Sequence, residues 1–120
     1  MNMREIQFYK TASGNCPVEN FLESLSAKQA KKITWVLSLI EELSFIPVKY
    51  FKKLVNTDDI WEVRVSYGGD IFRLFGFFDG SQLIILNHAF QKKTQKIPRK
   101  AIQTAEMRKH DYFNRRESHE

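Results

Sequence analysis

At 120 residues, with 42% hydrophobic and 13% aromatic content, the chain is long enough for one domain with its own core and too apolar to be disordered. Its one cysteine, Cys16, excludes an internal disulfide, and no apolar run approaches the ~20 residues that span a bilayer. The net charge of +5 is unevenly placed: residues 1–87 balance ten Lys/Arg against ten Asp/Glu, whereas residues 88–120 hold nine against four, which points to a polyanionic partner, nucleic acid first.

The opening "MNMREIQFYK" is too charged for a signal peptide, which predicts a cytoplasmic protein. Within it "EIQFY" (5–9) alternates polar and apolar and reads as a short strand. "TASGN" is turn chemistry, and Pro17 suits the first position of a helix, "PVENFLESL" (17–25), for which Asn15 is a better cap than Cys16. Ser26 and Gln29 have capping-box spacing and open the longest N-terminal helix, to about Leu43, with Ala30, Ile33, Leu37 and Ile40 on its buried face. Pro47 blocks continuation, and "YFKKL" (50–54) is either an edge strand or a lead into the sheet. "IWEVRVSY" (60–67) alternates cleanly, setting Ile60, Glu62, Arg64 and Ser66 on one face and Trp61, Val63, Val65 and Tyr67 on the other. The turns "YGGD" and "DGS" join it to "IFRLFGFF" (71–78) and "QLIILNHAF" (82–90), an antiparallel meander. "PRKAIQTAEMRKHDYF" (98–113) reads as a closing helix and 114–120 as a frayed tail. The sum is a single α+β domain over 1–120, two N-terminal helices on one face of an antiparallel sheet, the other face left free for function.

Little in the chain suggests metal or nucleophile chemistry. His88, His110, His119 and Cys16 lack ligand spacing, there is no G-x-S-x-G, and "YGGD" is not followed by a phosphate-loop lysine. What remains is basic residues on strands. Arg64 lies on the polar face of its strand. Arg73 sits inside an aromatic strand, where an unpaired buried charge would cost several kcal/mol. Either a carboxylate meets it, with Glu62 nearest by strand pairing, or it faces a groove that binds an anion. The stretch "FQKKTQKIPRK" (90–100) then gathers Lys92, Lys93, Lys96, Arg99 and Lys100 around the start of the last helix. Cations there oppose the helix dipole, a conflict that a bound phosphate backbone relieves; a solvated basic turn is the plain alternative. His88 is either a satisfied core histidine or a general acid or base beside that phosphate. Phe75, Phe77, Phe78 and Phe90 are either core or a stacking surface for bases.

The stretch from "IWEVRVSYGGDIFRLFGFF" through "NHAFQKKTQKIPRKAIQTAEMR" (60–108), together with "NCPVENFLESL" (15–25), resembles the phage-derived, HigB-like branch of the RelE/ParE toxin superfamily. The likeness rests on W-E-V-R at 61–64, an aromatic residue before Arg73, and H-A-F-Q-K-K-T-Q-K-I-P at 88–98. It implies a RelE-like α+β fold, two N-terminal helices against a twisted antiparallel sheet with a C-terminal helix. It also implies the toxin of a type II toxin–antitoxin system, with a cognate antitoxin of helix-turn-helix type that carries the complex to operator DNA. The activity implied is cleavage of mRNA on the ribosome without metal or cofactor; the ParE branch instead poisons DNA gyrase, and a third reading is an inactive partner in promoter repression. By position, Arg64 and Arg73 match the family's phosphate-binding strand residues, and Lys92 and Lys93, with Lys96, its basic residues after the last strand. The expected catalytic set is therefore Arg64, Arg73, Lys93 and His88, with Lys92, Lys96, Arg99 and Lys100 on the RNA backbone. The sequence departs from the family at Ala89, where many relatives have Gly, and at Ile97, where they have Thr; losing that cap predicts a helix start looser by about 1 kcal/mol. Tyr67 and Tyr112 are the candidates for the aromatic hydroxyl that RelE-like toxins often carry.

Overall fold

In the computed structural model, which describes residues 2–118, the capping box expected from Ser26 and Gln29 is formed. Gln29 N–H donates to Ser26 Oγ at 3.2 Å, and Ser26 N–H donates to Gln29 Oε1 at 3.0 Å. These bonds satisfy two free amides at the start of α2 (Ala27–Glu42), whose buried stripe is Ile33, Val36, Leu37 and Ile40. The helix before it, α1 (Pro17–Glu23), has Cys16 at the N-cap with no side-chain cap, which corrects the assignment to Asn15. Asn15 is tied to the helix differently, accepting from Asn20 Nδ2 at 2.7 Å.

The strands are β1 (Glu5–Phe8), β2 (Phe51–Lys53), β3 (Trp61–Tyr67), β4 (Asp70–Asp79) and β5 (Leu83–Gln91), in the order β1-β5-β4-β3-β2. The meander β3–β4–β5 and the edge strand β2 are antiparallel, as the short turns demand. β1 departs from the expected antiparallel sheet by pairing parallel to β5, Glu5 opposite Leu83 and Phe8 opposite Leu86. The 74 residues between Phe8 and Leu83 give ample length for a parallel return.

Strand alternation divides the core. Val63, Val65, Phe72, Leu74, Ile84 and Leu86 pack against Val18 of α1 and the stripe of α2. On the other face, Ile60 and Phe75 lie under Ala101 and Ala105 of α3 (Arg99–Ser118), and Phe77 and Ile85 lie under Tyr112 and Phe113. The face expected to stand free is thus covered over much of its area by α3, making three layers. The part left open lies toward Arg64 and Arg73.

α3 is longer than its apolar positions suggest. Residues 114–118, expected to fray, continue the helix because Arg115 bonds Asp111 at 2.9 Å and donates to the Lys10 carbonyl, while Arg116 pairs with Asp79. Residues 119 and 120, including His119, lie outside the described residues. Ile97 packs against the Phe75–Ala101 cluster, so the residue that cannot cap the helix anchors its start by burial.

One bulge aims side chains at α3. Phe75 faces His88 but Gly76 faces Leu86, so Asn87 is the extra residue of β5. Asn87 and His88 both turn to α3: Asn87 Nδ2 donates to the Ala105 carbonyl at 2.8 Å, and Arg108 reaches His88. Beside the bulge a β-carbon on Gly76 would lie 2.2 Å from the Ile85 carbonyl oxygen, so only glycine fits. Among the described residues no helix is long and apolar enough to cross a membrane.

Candidate functional site

The register of β3 on β4 sets Arg64 directly opposite Arg73. Like charges across a strand pair repel, so the pair requires a counter-charge. Glu62 supplies it from below. Its Oε2 lies 3.2 Å from Arg73 Nε and its Oε1 3.8 Å from Arg64 Nε. The sequence reading had Glu62 meeting Arg73 across the strands; in the structure Glu62 faces Phe75 and reaches Arg73 diagonally. Glu62 is 2% exposed and Arg73 6%, so the contact is dry.

One carboxylate serves two guanidinium groups, and it serves them incompletely. Arg73 Nη1 donates to the Phe72 carbonyl at 3.0 Å, but Arg73 Nε and Glu62 Oε2 are close without being aligned, and neither has a hydrogen-bond partner. Burial lowers the Arg73 pKa and the Arg64 charge lowers it further, against the opposing pull of Glu62. An arginine stays protonated under such pressure, so the site keeps excess positive charge and unused donors. That combination favours an anion with several acceptor oxygens.

The pair opens into a cleft of about 360 Å³ lined by Lys32 and Val36 of α2, Lys49 and Tyr50, and Arg64, Val65, Ser66 and Arg73. It exists because β2 is short: β2 pairs with β3 only from Trp61 to Val63, and beyond that the Tyr50 carbonyl takes the Arg64 amide at 2.8 Å. Four cations thus converge from a helix, a loop and two strands. Lys32, Lys49 and Tyr50 were missed as site residues in the sequence, where Lys32 falls in the long helix and Tyr50 opens the segment read as an edge strand or a lead into the sheet.

The remaining candidates fall into three places. Lys92 and Lys93 border a second cleft of about 350 Å³ with Ile71, Thr94 and Gln95, and the Lys92 amide donates to the Ile71 carbonyl at 2.7 Å. Ile71 is two residues from Arg73 on the same face, so these lysines flank the arginine pair. Lys96 in the loop and Arg99 and Lys100 in the first turn of α3 are exposed and line neither cleft. His88 lies along β5 from Phe90, the residue that faces Arg73. Its Nδ1 is 3.3 Å from Arg108 Nη1; arginine only donates, so Nδ1 accepts and the proton sits on Nε2. Burial, and then the Arg108 charge, lowers the His88 pKa from 6.5 to about 4, so the ring is neutral at physiological pH.

Phe75 and Phe77 are fully buried, and Phe78 packs with Phe51 and Trp61, so these three belong to the core; Phe90 stacks edge-on against Phe75 at 5.3 Å. Tyr112 donates to Asp79 at 2.7 Å at the opposite end of β4, with its pKa pushed up to about 12 by burial and that carboxylate. Tyr67 shares its strand face with Val63 and Val65. Tyr50 is the tyrosine that lines the cleft. Among the described residues no group of three or more His, Cys, Asp and Glu is arranged to hold a metal ion.

A family model, described as "Phage derived protein Gp49-like", matches residues 20–110, from within α1 to the middle of α3 and including every strand but β1. No curated protein matches the chain.

Proposed function

The chain belongs to the phage-derived Gp49-like family, and from that premise we propose that it is the toxin of a type II toxin–antitoxin system, of the HigB-like branch of the RelE/ParE superfamily. Its proposed activity is ribosome-dependent, metal-independent cleavage of mRNA. The observation that carries this reading is the cross-strand pair Arg64–Arg73, under-neutralised by Glu62 and open to a basic cleft.

In the proposed reaction the ribose 2′-hydroxyl gives its proton to water as its oxygen attacks the adjacent phosphorus, and the 5′-oxygen of the next nucleotide leaves and takes up a proton from water. The products are a cyclic phosphate, opened by water to a 3′-phosphate, and a 5′-hydroxyl end. The phosphorane between them carries extra negative charge. Two guanidinium forks held in place before substrate arrives stabilise that charge without reorganisation. Arg73 supplies the fixed fork and Arg64, at 34% side-chain exposure, the accessible one. Lys93 and Lys92 stand at the Ile71 end of the same surface. His88, neutral and protonated on Nε2, suits donation to a phosphoryl oxygen better than removal of the 2′ proton. Lys96, Arg99 and Lys100 hold the RNA backbone, which makes binding fall steeply with salt. The proposed partners are mRNA on the ribosome and a helix-turn-helix antitoxin that links the complex to operator DNA.

The test is brief induction of the wild type, Arg64→Gln and Arg73→Lys, followed by mapping of RNA 5′ ends on translated messages. In-frame cuts present only in the wild type support the reading. Intact messages with DNA breaks overturn it in favour of gyrase poisoning. Arg73→Lys keeps the charge and loses the fork, and a loss of roughly 100-fold or more is expected.

A further inference from the structure

We propose that the outer wall of the arginine cleft is a nucleobase subsite, in which one base of single-stranded RNA stacks on Tyr50 while Lys32 and Lys49 hold its phosphate. The inference rests on the RNA-cleaving reading and assigns the neighbour of the scissile nucleotide to a place.

Trp35 projects from α2 with 47% of its surface exposed, on a helix whose stripe already meets the core elsewhere. Its ring meets the Tyr50 ring edge-on, with centroids 6.1 Å apart and planes at 87°. That contact fixes the orientation of Tyr50 at the cleft. Each ring also carries a cation: Lys32 Nζ stands 4.9 Å from the Trp35 centroid, and Lys49 Nζ 4.9 Å from that of Tyr50. Among the described residues neither ammonium has a carboxylate within ion-pair distance, so ring and cleft are what hold them.

The half-buried Tyr50 ring, steadied by the core on one side and open to the cleft, and the unpaired cations beside it match the two halves of a nucleotide, since the base offers a π-face and the phosphate a charge. An arriving base displaces the mobile Lys49 head from the Tyr50 ring, and the freed ammonium turns to the phosphate. The cleft volume of about 360 Å³ is of the size that takes one small ligand and excludes a folded partner. Stacking needs an unpaired base, so the ligand is single-stranded.

The experiment uses the full chain and a fluorescein-labelled 2′-O-methyl hexaribonucleotide of mixed sequence, which cannot be cleaved, beside an abasic oligomer of the same backbone. Anisotropy at low salt measures affinity for the wild type, Tyr50→Phe, Tyr50→Leu and the pair Lys32→Gln, Lys49→Gln, each checked for folding by circular dichroism. The expected result is that Tyr50→Phe binds as the wild type and Tyr50→Leu roughly tenfold weaker, with the difference vanishing on the abasic oligomer. The lysine variants are expected to flatten the dependence of log K on log salt by roughly 0.7 per lost contact. Equal binding by wild type and Tyr50→Leu overturns the subsite and leaves RNA recognition standing. Equal affinity of the wild type for the abasic and the complete oligomer also overturns it, leaving a general polyanion surface. No binding of either oligomer by the wild type also overturns the subsite, while the ribosome-dependent reading stands or falls by the mapping of RNA 5′ ends.

Discussion

Glu62 reaches past Phe75, the residue it faces, to set a carboxylate oxygen 3.2 Å from Arg73 Nε, with both groups almost wholly buried. A buried pair of this kind is costly to break from one side, because the survivor keeps its charge without its partner. Glu62→Ala is therefore expected to destabilise the fold by about 3–5 kcal/mol. The double replacement Glu62→Leu with Arg73→Met should recover most of that loss, since it removes both charges and keeps volume. Urea unfolding measures both. The double variant is expected to be folded yet inactive, separating the site's function from its stability.

Gly76 is expected to tolerate no side chain. In Gly76→Ala the new methyl would stand 2.2 Å from the Ile85 carbonyl and 2.9 Å from Leu86 Cδ2, so backbone must move in the centre of the sheet. A loss of about 2–3 kcal/mol follows from overpacking of this kind, read as a lower melting temperature. An unchanged melting temperature would show that β4 and β5 part more easily than their register suggests.

His88 should make the protein acid-sensitive in a defined window. Its folded pKa of about 4 lies below the ordinary 6.5, so the unfolded chain takes up the proton first as pH falls. The stability its neutral form contributes is present above pH ~6.5 and is lost progressively toward pH ~4. His88→Gln should remove that slope, on the order of 1–2 kcal/mol once partial exposure is allowed for. The cleavage rate should show no limb near pH 6.5, because the ring is already neutral there and keeps its Nε2 proton on both sides of that pH.

The end of α3 is expected to matter to stability. A chain stopping at Phe113 loses the Arg115–Asp111 and Arg116–Asp79 pairs and the bond to the Lys10 carbonyl. These contacts are partly exposed, so the cost should be on the order of 1–2 kcal/mol in thermal unfolding. A melting temperature equal to that of the full chain would restore the frayed tail.

The contrast between what was legible in the sequence and what was not follows from the range of each signal. Strand and helix identity came from local periodicity: the alternation of Trp61–Tyr67 and the Ser26–Gln29 cap act within a few residues, and both are in the structure. The nearness of Glu62 to Arg73 was legible from the short turn between their strands, but the register, which sets Arg64 and not Glu62 opposite Arg73, was not. The parallel pairing of β1 and the docking of α3 on the second face were not legible, because they join residues roughly eighty and thirty apart. The tail of α3 was misread because its order comes from Asp79 and Lys10, far away in the chain. Lys32 and Lys49 were invisible for a similar reason. Each is an ordinary solvated lysine by spacing, and the packing of α2 on β3 together with the shortness of β2 brings them to the cleft of the arginines.

The strand order has a consequence for the birth of the molecule. β3, β4 and β5 join through tight turns and close their contacts over short loops, so the hairpins bearing Arg64 and Arg73 can form as soon as they are made. β1, although synthesised first, has no neighbour until β5 exists and must wait at the sheet's edge for its partner. Loop closure across that distance comes late and slowly. The arginine pair thus rests on contacts local in the chain, whereas the first strand rests on a partner that comes long after it.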